Sequence, residues 1–143
     1  MHESNYVLAE WSNTPEIART MYVSFPNRAK CELREFVDPR TSMWVLDKVE
    51  EKHIACAMCI QVKPSRCMSS TFIKFLFTPR RFQSCGFASR MLDNATAWFG
   101  TLSLTVLESS HKAFSFYLKR GFKPWPQGQF QSYHGRVLYM VKK

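Results

Sequence analysis

Between residues 71 and 100 the hydrophobic period of the chain changes once, and that change narrows the folds open to it. Residues 71–77, Thr-Phe-Ile-Lys-Phe-Leu-Phe, are rich in aromatic and β-branched side chains and read as a strand. Pro79, which has no amide hydrogen for a ladder bond, stops it. From Gly86 onward Phe87, Ala88, Met91, Leu92, Ala95, Trp98 and Phe99 follow at roughly 3.6-residue spacing on one wide helical face, and Gly100 closes it. A strand that passes through a short basic turn into an amphipathic helix points to a mixed α/β architecture, with chemistry to be sought at the junction.

The remaining segments agree with that reading. Residues 5–11 form an opening strand. Thr14-Pro15-Glu16 supplies a capping hydroxyl, a proline suited to a first turn and an early acid, so a helix begins there and carries Ile17, Ala18, Met21, Tyr22 and Phe25. After Pro26 a second helical pattern aligns Ala29, Leu33, Phe36 and Val37 and ends at Pro39. Residues 43–49 and 53–62 read as a β-hairpin across Glu50-Glu51-Lys52. Residues 102–107 alternate as a strand, residues 110–120 form a helix ended by Gly121, and residues 136–141 are a last strand. The intervening residues 123–135, with Pro124, Pro126 and Gly128, read as loop.

At 143 residues and 45% apolar, the chain suits one core, and residues 1–143 are expected to form one domain. No apolar run approaches the ~20 residues of a membrane span. The first ten residues lack the basic start and apolar stretch of a secretory signal, which implies a cytoplasmic protein. Five cysteines at irregular spacing read as free thiols. Cys56 and Cys59 form a C-x-x-C, but on a strand residues three apart face opposite ways, so no metal or redox role is assigned to them. The four histidines, His111 and His134 among them, show no metal-ligand spacing. A net charge of +9 favours an anionic partner and leaves RNA, an acidic protein or a phosphorylated cofactor open, beside a merely solvated basic surface.

The junction has the makings of an anion cradle. Amides at a helix start lack intrahelical partners and carry the positive end of the helix dipole, and Gly86 and Ala88 keep side-chain bulk away from them. In this segment the chain resembles the GNAT superfamily of N-acetyltransferases: Gln83-x-x-Gly86-x-Ala88 fits that superfamily's signature of Gln or Arg, two residues, Gly, one residue, then Gly or Ala. Beyond the next strand, Ser110-x-x-Ala113-x-x-x-Tyr117-x-x-x-Gly121-Phe122 is similar to its second signature, with Ser110 where the superfamily has Asn. Pro79 stands four residues ahead of Gln83 where three is more usual, which implies a bulged turn. The likeness runs from about residue 71 to residue 122. It implies an α/β (α+β) GNAT fold: a mixed, mostly antiparallel sheet of about six to seven strands, splayed at a cofactor cleft and flanked by about four helices.

The resemblance also implies roles. The cofactor would be acetyl-CoA, with the backbone of Phe77 and Thr78 along its pantetheine arm and Gln83, Ser84, Cys85, Gly86, Phe87, Ala88 and Ser89 around its diphosphate. Arg80 and Arg81 would add charge, and Ser110 would make a shorter contact than Asn or cap its helix. Tyr117 would protonate the departing thiolate. The strand at 71–77 holds Lys74 and no carboxylate, so Glu108 is the candidate general base, with a water relay as the alternative. Trp125 and Tyr133 are candidates for the acceptor pocket.

The acceptor is expected to be a small amine or a protein amine. The acids Glu10, Glu16, Glu32, Glu35 and Asp38 suit a polyamine. Toxin-like acetylation of aminoacyl-tRNA is the alternative, for which Arg28, Lys30, Arg80, Arg81, Lys119, Arg120 and Lys123 are candidate phosphate contacts. A catalytically idle module that binds CoA or nucleic acid is a further alternative. A homodimer follows only from the habit of the superfamily.

Overall fold

A computed structural model describes residues 4–9, 42–50, 53–61 and 70–143. The two helices expected within residues 14–39 lie outside the described residues, as do the early acids Glu10, Glu16, Glu32, Glu35 and Asp38 and the basic residues Arg28 and Lys30. The described chain runs β1 (Ser4–Ala9), β2 (Ser42–Val49), β3 (His53–Gln61), β4 (Thr71–Phe77), a single 3-10 turn (Arg80–Phe82), α1 (Phe87–Phe99), β5 (Leu102–Leu107), α2 (His111–Lys119), β6 (Lys123–Pro124), β7 (Phe130–Ser132) and β8 (Gly135–Lys142). The sheet order is β1-β2-β3-β4-β5-β8-β6, with β7 also paired to β8.

Every pairing is antiparallel except that of β4 with β5. The stretch read as loop from 123 to 135 contributes two short strands, β6 and β7, both against β8. Pro124 is tolerated in β6 because that strand lies at the edge of the sheet, where a missing amide breaks no ladder.

The parallel pair β4–β5 registers only at Thr71↔Leu102 and Phe72↔Ser103. Its other neighbour explains why it goes no further. Along β3 the partners are Ile60↔Ile73 and then Cys59↔Phe75, so Lys74 is the extra residue of a β-bulge. A bulge bends its strand and re-aims the side chains beyond it. Ile73 accordingly packs on one face of the sheet while Phe75 and Phe77 pack on the other, although strict alternation would put all three together. Past the bulge β4 leaves β5, and the two strands open a wedge.

Over the first face lies α1, which buries Phe87, Met91, Leu92 and Ala95 against Val45, Met58, Ile60 and Ile73. Trp98 is the exception on that helix, at 44% exposed in its last turn. Trp44, Leu46, Ile54, Ala57 and Cys59 join Phe75 and Phe77 on the opposite face. Cys56 and Cys59 fall on opposite faces, as strand geometry requires, and both are buried and outside any disulfide.

Candidate active site

The wedge between β4 and β5 opens into a cleft of about 720 Å³. Three backbone segments form its walls: the end of β4 at Leu76, Phe77 and Thr78; the turn into α1 at Phe82–Ser84 and Gly86–Ser89; and the first two turns of α2, from Ser110 to Tyr117.

The turn is shaped by local bonding. Pro79 O accepts from Phe82 N at 2.9 Å and Arg80 O from Gln83 N at 3.2 Å, so the 3-10 turn takes up the additional residue between Pro79 and Gln83. The four-residue spacing is thus accommodated by a 3-10 turn, where a bulged turn was expected. Gln83 Nε2 donates back to Thr78 O at 3.1 Å, closing the turn onto the end of β4. Ser84 (φ 63°) and Gly86 (φ 86°) both adopt left-handed backbone. At Gly86 a Cβ would meet nothing within 4 Å, so conformation rather than crowding favours glycine here. The helix then begins with Arg90 N donating to Gly86 O at 3.0 Å.

Neither α1 nor α2 has an acidic residue in its first turn. Both start at the cleft, so two sets of unpaired amides and two positive dipole ends share one space. His111 and Lys112, in the first turn of α2, line the same wall. Basic residues there oppose the helix dipole unless an anion lies nearby. Ser110 stands at the N-cap of α2 without a capping side-chain hydrogen bond and forms part of the cleft wall.

Ala113, Phe116 and Tyr117 present the inner face of α2. The Tyr117 ring meets Phe116 and Phe122 edge-on, at 5.5 and 5.6 Å between centroids, and Phe122 N donates to Tyr117 O at 3.0 Å. That bond holds the end of α2 against the Gly121-Phe122 turn, where Gly121 takes a φ of 97°.

Of the residues singled out in the sequence, Phe77, Thr78, Gln83, Ser84, Gly86, Phe87, Ala88, Ser89, Ser110 and Tyr117 come together in this wall. Cys85 does not: its thiol is exposed, with Sγ 3.5 Å from Gln83 O. Nor does Glu108, which is half exposed and ion-paired at 3.8 Å to Arg136, the residue whose carbonyl also accepts the Glu108 amide hydrogen. β5 ends at Leu107, and the turn after it carries Glu108 toward β8. Arg80 and Arg81 are exposed on the 3-10 turn, Arg81 lying over the Phe82 ring at 4.7 Å. Trp125 and Tyr133 also stand outside the wall, Tyr133 at 98% exposed.

The wall also contains Leu76, Phe82, His111, Lys112 and Phe116, none of which the sequence signalled as cofactor contacts. Phe116 could have been found from its spacing, since with Ala113 and Tyr117 it makes the three- and four-residue steps of one helical face. Leu76 reaches the cleft only because of the bulge at Lys74. Among the described residues no group of three His, Cys, Asp or Glu could hold a metal ion. None of their helices is long and apolar enough to cross a membrane.

The family model of the acetyltransferase (GNAT) family matches residues 6–122, most of the chain and all of this cleft. The chain belongs to that family. Solved GNAT structures superpose on nearly its whole length. An acetyltransferase of the family from Streptococcus pneumoniae is 19% identical, with 98% of this chain and 99% of that one covered and a TM-score of 0.68. The ribosomal-protein-S18-alanine N-acetyltransferase of Escherichia coli is 14% identical over 98% and 93%, with a TM-score of 0.72. A spermidine/spermine N-acetyltransferase of Vibrio cholerae is 14% identical over 97% and 91%, with a TM-score of 0.69. At such identities the likeness is one of fold. No curated protein sequence matches the chain. The GNAT fold is therefore shared in its mixed sheet and splayed centre, and two of its expected helices lie within the described residues.

Proposed function

We propose that this GNAT-family N-acetyltransferase uses acetyl-CoA and moves the acetyl group to a primary amine by direct attack in a ternary complex. The acceptor is a small amine or a protein amine. The observation that carries this reading is the convergence of two acid-free helix N-termini, a bulged strand edge and Tyr117 on one cleft.

The residues fit the cofactor. Gly86, Phe87, Ala88 and Ser89 offer first-turn amides to a diphosphate, and the open space beside Gly86 leaves room for it. Past the bulge, Phe77 and Thr78 expose backbone to the cleft where a pantetheine arm can pair as a strand would, with Ser110 facing it from α2. Lys112 adds positive charge. Bound acetyl-CoA supplies the thioester carbonyl that the amine attacks.

Backbone N–H at the end of β4 stabilises the negative charge that develops on that carbonyl oxygen. Tyr117 holds a proton at its phenolic oxygen for the leaving sulfur, while Phe116 and Phe122 fix its ring. Glu108 is turned toward Arg136, so the proton of an incoming ammonium is assigned to solvent in the cleft rather than to that carboxylate.

The relatives named above carry their acceptors in their names, spermidine or spermine in one case and a ribosomal-protein alanine in another. Both classes are carried into the test. Purified chain with acetyl-CoA is offered polyamines, amino-terminal peptides and aminoacyl-tRNA, and products are identified by a mass gain of one acetyl group. Acetylation of a polyamine or a peptide amine supports the proposal. Acetylation of aminoacyl-tRNA alone would move the +9 chain to the RNA-directed reading, and no product from any class would contradict transfer altogether.

A further inference from the structure

Beneath the first turn of α1 lies a charged pair that the catalytic reading does not use. Asp47 sits on β2 opposite Cys56 of β3, next to the register shift between Asp47 and Lys48, and it is fully buried. Its Oδ2 accepts from Arg90 Nη2 at 2.9 Å, and its Oδ1 has no hydrogen-bond partner among the described residues. Arg90 is the fourth residue of α1 and its side chain is 45% exposed.

A carboxylate removed from water and left with one oxygen unsatisfied is a poor source of stability. The desolvation cost of such a pair commonly cancels its attraction, and apolar replacements of similar volume are often neutral or better. What the pair does supply is position. The backbone amide of Arg90 makes the first hydrogen bond of α1, to Gly86 O at 3.0 Å, and its guanidinium lies over the Phe87 ring at 5.1 Å. Holding Arg90 down on β2 therefore holds the carbonyl of Gly86 and the ring of Phe87, two residues of the cleft wall. The Gln83 side chain secures the other end of the turn on Thr78. The turn is thus pinned to the sheet at both ends.

We propose that Asp47 is a positioning residue, which through Arg90 fixes the first-turn amides of α1 for the diphosphate of the cofactor. This rests on the reading of the cleft as an acetyl-CoA site. It predicts an effect confined to ligands that carry the diphosphate, because the pair acts on the first turn of α1, whereas the pantetheine arm is read along β4 and α2.

Dissociation constants for coenzyme A and for pantetheine, which lacks the diphosphate, are measured by equilibrium dialysis on the wild-type chain, on Asp47→Asn, and on Asp47→Leu combined with Arg90→Met. The double variant removes both charges with apolar groups of similar bulk, so it keeps the test open should the single variant fail to fold. The expected result is a loss of about tenfold for coenzyme A in each folded variant, with the pantetheine constant unchanged. Equal losses for both ligands would make the pair a general support of the fold and overturn the inference. So would no loss for either. A wild-type chain that binds pantetheine but gains nothing from the diphosphate would overturn it too, without touching the transferase reading. A wild-type chain that binds neither ligand would instead overturn the cofactor reading, and this inference with it.

Discussion

The ring of Tyr117 is packed against those of Phe116 and Phe122, both of which it meets edge-on. Removing only the phenolic oxygen keeps both ring contacts. Tyr117→Phe is expected to lower kcat by about 10²- to 10⁴-fold, with little change in the thermal midpoint or in coenzyme A affinity. Steady-state kinetics beside a melting curve checks both halves of that statement. Cys56 makes a different prediction. Burial pushes its thiol from 9.0 up to about 12, while the same thiol ionises near 9.0 once the chain unfolds. The folded form thus favours the protonated thiol. Its contribution to stability is complete below pH 9 and is lost as pH rises from 9 toward 12. Urea midpoints measured across that window should fall less steeply in Cys56→Ala than in the wild type.

At the scale of elements, much of the site was legible because its signals are local. A strand of alternating buried side chains, a proline stop, a glycine with positive φ and an amphipathic helix follow one another along the chain, and β4 and α1 appear at almost the residues their patterns indicate. Met91 tests the helix reading. It lies fully buried on the inner face of α1, and Met91→Ala should cost about 2–5 kcal/mol of unfolding free energy, measured by denaturant titration. What the sequence could not show are the non-local consequences. The bulge at Lys74 depends on how β3 and β4 register, and it decides that Leu76 turns toward the cleft while Phe77 packs on the far face. The direction taken by Glu108 depends on β8, whose Arg136 draws it away. The hold of Asp47 on Arg90 joins residues 43 positions apart, and no local pattern carries it.

For the molecule as a whole, the segment matched by the family model contains every residue of the cleft wall. The family model covers residues 6–122, which include the end of β4, the turn into α1 and the start of α2, the segments that wall the cleft. The central claim is that coenzyme A occupies this cleft with its diphosphate on the first turn of α1. Amide chemical shifts followed during a coenzyme A titration of the isotopically labelled chain test it most directly. The account predicts saturable shifts concentrated in residues 77–89 and 110–117. Saturable shifts centred elsewhere, or none at millimolar coenzyme A, would contradict it.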